Sequence, residues 1–448
     1  MKKITLKIWL LLLLATVGVS CKDDFLEQKP RKSLLVPTTL DDAQAMLDNI
    51  LLMNMRPAIA DIAAGQFVLI EGGLDKVDTA PERGAYLLDG DPYQGNAVLD
   101  WDRPYEQVLY ANIVLDALEA MPVAVKSNAR WGKVRGAALF FRARAFYELS
   151  QLFCKTYQSA TAAKEPGIPM PLSSDVNLRP GRGTLAQSYD RIKVDMLEAL
   201  SLLEMRTSLK NRPSGRAALA MLAKVSLSMG DYRAAGEYAD RALGVDGSLI
   251  DFNGLKAGTS RSFPEVLPNN VTEVIFYTNK TGYGFFGNAV RRVDPVLLAS
   301  YHANDLRKAI YFYHTAAGAA YSSGYEGLGN DEQYLIGAEA WIRLGDIQKG
   351  LALLKKLMDT RYKTGTFQIA AGLDQKGALA LALEHRKKGL IWRGTRWYDL
   401  KRLNAEGIFT ETITRTYQGK TVVLEPGDRR YVFPIPEDEI RESGIEQN

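Results

Sequence analysis

Two stretches of this chain repeat one device: an apolar helical stripe, a Gly-Asp break, and a second stripe. In the first, Leu219, Leu222, Val225 and Met229 recur at steps of three and four, Gly230-Asp231 interrupts, and Tyr232, Ala235, Ala239 and Ala242 follow. In the second, Leu335, Ala338 and Ile342 lead to Gly345-Asp346, then Ile347, Leu351, Leu354 and Met358. Such spacing puts the side chains on one face of an α-helix. Small residues let two helices approach closely, and a glycine ends the first helix. Each stretch therefore predicts a helical hairpin like a tetratricopeptide unit. The two Gly-Asp turns lie 115 positions apart, no multiple of the 34-residue repeat, so the array is interrupted. Ala138, Phe141, Ala145, Leu149 and Leu152 make a further stripe.

Between these stripes the composition changes. Residues 56–104 hold clusters of Gly, Pro and Asp. Val274-Ile275-Phe276-Tyr277 reads as a strand and opens a glycine- and tyrosine-rich stretch that runs to Gly329. The expected fold is mainly α: tetratricopeptide-like hairpins as scaffold, with two long irregular insertions (about 56–104 and 250–330) containing short strands.

The N-terminus has the layout of a secretory leader. Lys2, Lys3 and Lys7 precede an apolar run from Ile8 to Val19, then Ser20 and Cys21. A 12-residue helix spans roughly 18 Å, short of the ~30 Å bilayer core, so residues 1–20 read as a processed leader. Cys21 after the cut looks like the lipid acceptor of a bacterial lipoprotein. Lys22-Asp23-Asp24 resembles the surface-export signal of Bacteroidota lipoproteins. Residues 21–37, with Pro30 and Pro37, read as a lipidated tether, and 38–448 as one folded domain. Without the leader, 53 basic residues face 52 acidic ones. That balance has no electrostatic footprint for nucleic acid. With Cys21 acylated, Cys154 has no disulfide partner; beside Leu152 and Phe153 it reads as a buried, inert thiol. His302, His314 and His385 lack metal-ligand spacing.

The chain resembles the SusD/RagB family of outer-membrane nutrient-binding lipoproteins along essentially its whole length. The residues that carry the likeness are Asp24-Phe25-Leu26-Glu27 with Pro30, the run from Arg135 to Leu149, Gly167-Ile168-Pro169-Met170-Pro171, the hairpin Arg216 to Leu243, and Glu273-Val274-Ile275-Phe276. Asn304-Asp305-Leu306-Arg307-Lys308, Arg396-Trp397-Tyr398-Asp399-Leu400-Lys401-Arg402, Phe433-Pro434-Ile435-Pro436 and Gln447-Asn448 complete it. One departure is Trp392-Arg393-Gly394, where the family carries an acid before the glycine, so local ion pairing should differ here. The resemblance implies binding without turnover. A lipid-anchored protein on the outer membrane, facing the exterior, would hold an oligosaccharide or a peptide against a TonB-dependent transporter. It implies no cofactor, and no ligand residue transfers by motif.

Sugar rings present C–H faces that pack on exposed aromatic rings. In the first insertion Tyr93, Asn96 and Trp101 are the candidates. In the second, Tyr283, Phe285, Phe286, Tyr321 and Tyr325 stand out, with Tyr277 and Tyr301 behind them. Glycines flanking Tyr283 and Phe286 suggest bare rings, so alanine there should weaken binding without lowering the melting temperature.

Gly282-Tyr283-Gly284-Phe285-Phe286-Gly287 matches the dinucleotide pattern, with Asp305 at about the right distance. The motif needs a following helix, and Asp294-Pro295 breaks one early. Asp89, Asp91 and Asp100 have only partial calcium-loop spacing, because Tyr93 and Gln94 occupy positions for an oxygen ligand and the turn glycine. The segment Arg396–Arg402 should pack Trp397 inward and solvate its arginines. A surface glycoside hydrolase would need two placed carboxylates, and no pair stands out.

Overall fold

The computed structural model describes residues 36–322 and 324–448, so Cys21, the leader and most of the tether lie outside the described residues. The helices that build the frame are α1 (Leu40–Leu47), α2 (Ile59–Ala63), α3 (Ala80–Leu87), α4 (Leu99–Ala120) and α5 (Ala129–Phe153), followed by α6 (Leu185–Leu202), α7 (Gly215–Ser228) and α8 (Tyr232–Val245). After a long strand-bearing stretch come α9 (Asn330–Arg343), α10 (Ile347–Met358), α11 (Gln375–Gly389), α12 (Thr395–Glu406) and α13 (Glu437–Ser443). Helix α5 is the spine: α4 and α6 pack on it, α7 packs on α6 and α8, and α8 joins α9. Both expected hairpins are present, as α7–α8 and α9–α10. No helix among the described residues is long and apolar enough to cross a membrane.

The Gly-Asp pairs act as joints. Gly230 and Gly345 stand at φ +73° and +91°, the left-handed region that a glycine enters without a Cβ clash. The aspartate that follows starts the next helix: the Asp231 carboxylate accepts from the Ala234 N–H, and that of Asp346 from the Lys349 N–H. Satisfying a free N–H at an N-cap is worth about 1 kcal/mol. Two residues thus end one helix and cap the next.

The two insertions are not independent excursions. Met55–Arg56 pairs in parallel with Asn279–Lys280, and Phe67–Leu69 pairs antiparallel with Arg291–Val293. Each lace joins the first insertion to the second. The expected strand at Val274–Tyr277 forms and pairs with Gly327–Gly329. Within residues 56–104, however, α2 and α3 are helical and α4 has already begun at Leu99. Trp101 therefore sits in the first turn of a long helix instead of on a loop.

A second correction concerns Arg396–Arg402. Its cations are not solvated: Arg396, Lys401 and Arg402 are all buried with Trp397. Arg402 forks onto Glu339, with Nη2 at 2.7 Å from Oε2, and reaches Asp399 at 2.9 Å. Arg396 binds Glu411. At Trp392-Arg393-Gly394, Arg393 pairs with Asp331 at 2.6 Å, while Asp61 accepts from the Gly394 N–H at 3.0 Å.

Candidate ligand cleft

A cleft of about 660 Å³ opens where the first insertion meets the C-terminal part of the chain. That volume lies within the range of small-molecule sites, roughly 300–1,000 Å³. One wall is the loop Leu88–Tyr93 after α3; another is the end of α5 with Cys154, Gln158 and Thr161; the third combines α12 with the segment Gly427–Ile435.

Each wall is fixed by local chemistry. The loop turns because Leu88 adopts φ +54° and because the Asp91 carboxylate accepts from the N–H groups of Tyr93 and Gln94 at 3.3 and 3.2 Å. It folds back so closely that a Cβ on Gly84 would lie 2.4 Å from backbone atoms of Pro92. Arg430 fastens it to the C-terminal part, donating to the Leu88 carbonyl at 3.1 Å and the Val423 carbonyl at 2.6 Å. On α12, residues 397, 401 and 404 share one face by the i, i+4, i+7 rule, so Trp397, Lys401 and Asn404 all line the cleft. Trp397 packs on Tyr431 and Phe433, with ring centroids 5.0 and 5.5 Å away.

Several buried polar groups in the lining are donors. Lys401 gives two hydrogen bonds, to the carbonyls of Gln151 (2.6 Å) and Cys154 (2.7 Å), and burial pulls its ammonium down to about 8. Arg182 binds the Gly167 carbonyl at 2.8 Å and the Asn448 side-chain oxygen at 2.7 Å. Cys154 is buried, as expected, and burial pushes its thiol up to about 11. The Tyr93 hydroxyl and the Trp397 indole N–H are buried without a hydrogen-bond partner.

Of the residues proposed from the sequence to contact ligand, only Tyr93 lines this cleft. Asn96 is exposed but turned onto its own loop, its amide donating to the Tyr93 and Gln94 carbonyls. Trp101 is buried against Phe153 and Tyr105, both at 4.8 Å. The second insertion packs elsewhere. Phe286 and Tyr321 are half-buried against Trp392 at 5.0 and 4.9 Å, and Lys280 lies 4.8 Å from the same ring. Phe285 is fully buried against Tyr86, and the Tyr325 hydroxyl is engaged by Asp331. Tyr283 is half-buried and donates to buried Asp100. Tyr277 is half-buried and Tyr301 buried.

The expectation of bare rings at Tyr283 and Phe286 is thus corrected. The flanking glycines do not expose them, because Trp392 and Asp100 come from elsewhere in the chain to cover them. Alanine at Phe285 should cost about 3–5 kcal/mol in urea denaturation, the usual range for a buried phenylalanine, and Tyr283→Ala should also lower stability. A Phe285→Ala protein as stable as the parent would show that this packing is not formed.

The glycine motif opens a single 3₁₀ turn at Gly284–Phe286 and then the strand Arg291–Val293, with no helix to receive a pyrophosphate. Asp89 and Asp91 are exposed, whereas Asp100 is buried under Tyr283. Among the described residues no group of three or more His, Cys, Asp or Glu is placed to hold a metal ion. Sequence reasoning missed Trp397, Lys401, Asn404, Arg182 and Tyr431. The available signal was Lys401, a cation on the same helical face as Trp397.

A helical-repeat frame therefore surrounds a preformed cleft with buried donors in its lining. Residues 24–227 match the family model SusD-like_3, described as starch-binding, associating with outer membrane. A SusD superfamily protein from Bacteroides thetaiotaomicron shares the fold with a TM-score of 0.73 at 21% identity, covering 92% of this chain and 99% of that one. One from Bacteroides vulgatus gives 0.71 at 20% identity over 92% and 99%. A SusD-like carbohydrate binding protein, also from Bacteroides vulgatus, gives 0.65 at 18% over 91% and 97%. No curated protein matches the sequence. The chain is thus similar to the SusD-like family by sequence over residues 24–227, and it shares the fold of SusD superfamily proteins over nearly all of its length.

Proposed function

We propose that this protein binds a nutrient oligosaccharide in the cleft between Tyr93, Trp397 and Tyr431, and hands it to a TonB-dependent outer-membrane transporter. The observation that carries the reading is the cleft itself, large enough for a few sugar units and built from four buried rings with unused donors beside them. The family model, described as starch-binding and associating with outer membrane, and the carbohydrate-binding relative support it. In this account the protein is anchored by acyl chains on Cys21, faces the medium, folds as one unit over residues 38–448, and performs no chemistry. Two acyl chains or more are needed, since one gives only marginal membrane binding.

The test is a glycan and peptide array against the purified protein. Selective retention of oligosaccharides is expected. Peptide retention alone would favour the peptide-binding alternative, and release of cleaved sugar would replace binding with hydrolysis.

A further inference from the structure

Lys401 and Arg182 line the cleft, are 6% and 9% exposed, and have no carboxylate partner among the described residues. Buried charges are ordinarily paired, because removing an ion from water costs several kcal/mol. Here the partners are neutral: two carbonyls for Lys401; two carbonyls and one amide for Arg182. An ammonium has three N–H groups and a guanidinium five, so both retain donors. The one ionisable group beside both is the Cys154 thiol, which burial keeps neutral.

The carboxylates that line the cleft are engaged elsewhere or stand at its rim. Glu165 pairs with Lys155 at 2.9 Å, and Asp428 with Arg430 at 2.5 Å. Asp89 and Asp91 accept from backbone N–H groups of their own loop. Glu437 and Arg429 are exposed. The inner wall is therefore cationic and rich in donors, joined there by the unpartnered Tyr93 hydroxyl and Trp397 N–H.

We propose, resting on the saccharide reading above, that the oligosaccharide is acidic and that its carboxylate is held by Lys401 and Arg182. A uronate and a sialate share this chemistry. The sugar's carboxylate supplies the missing counter-charge, with the Tyr93 hydroxyl and the Trp397 N–H as further donors beside it.

Calorimetry on the purified full chain compares tetragalacturonate with its methyl ester, and sialyllactose with lactose. At least one acid is expected to bind tenfold tighter than its neutral partner. Lys401→Met should remove that preference. Because Lys401 also ties two carbonyls, Gln158→Glu, at an exposed lining position, serves as the second variant. It should weaken the acid at least fivefold and the neutral sugar little. Equal affinity for acid and neutral partner, no binding of either acid, or indifference to both variants overturns the inference. Binding of the neutral partners then leaves the saccharide reading standing, while peptide binding without any sugar binding removes both.

Discussion

Replacing Arg415 with methionine is expected to destabilise the protein by on the order of 4 kcal/mol, since each buried group left unpaired costs about 1–3 kcal/mol. Arg415 lies on the hairpin Ile413–Tyr417 and Lys420–Leu424 and reaches back more than 300 residues. It donates to the carbonyls of Ile62 (2.9 Å) and Ala63 (2.7 Å) at the end of α2, and to those of Ala85 and Tyr86 at the end of α3. Its guanidinium lies 4.6 Å over the Tyr86 ring. A helix leaves its last carbonyls without partners, and here one side chain serves two helix ends at once. Burial draws the Arg415 guanidinium down to about 10, so desolvation offsets part of the gain. Methionine removes that cost but leaves the carbonyls dry. Because α3 leads straight into Leu88–Tyr93, ligand affinity should fall with stability. A urea midpoint unchanged from the parent would contradict this role.

Asp305→Asn is expected to cost about 3–5 kcal/mol, the range for breaking a buried ion pair by removing one partner. Asp305 and Arg307 are both fully buried, with Arg307 Nη2 2.6 Å and Nε 2.9 Å from the carboxylate. The same guanidinium donates to His385 Nδ1 at 2.9 Å on α11. The pair therefore pins the second insertion to the helical frame. Asparagine keeps the shape but leaves a buried cation without its counter-charge. The double variant Asp305→Asn with Arg307→Met should recover much of the loss, since an apolar replacement of a whole pair is often neutral. Urea denaturation of the three variants measures this. A single variant as stable as the parent would show that the charge is balanced by other groups.

These two arginines mark how far the sequence could be read. Helical hairpins were legible because their signal is local: Gly230-Asp231 and Gly345-Asp346 each carry a stop and a cap within two residues. The strand at Val274–Tyr277 was legible for the same reason. Arg415 gave no sign of capping helices far upstream, because such contacts leave no periodicity. The site was less legible still. Tyr283 and Phe286 look bare when judged by their glycine neighbours, yet Trp392 covers one and Asp100 holds the other. Lys401 looks like a surface lysine of a charged helix until α5 ends against it and takes its donors. Burial is decided by what arrives from elsewhere in the chain, and a residue's neighbours in sequence say little about it.

The most direct test of the account is a crystal structure of the protein with the tightest oligosaccharide from the array. Density for the sugar is predicted in the cleft, between Tyr93 on one side and Trp397 and Tyr431 on the other. A sugar bound over Phe286 and Tyr321, or along the α8–α10 surface with the cleft empty, would contradict it.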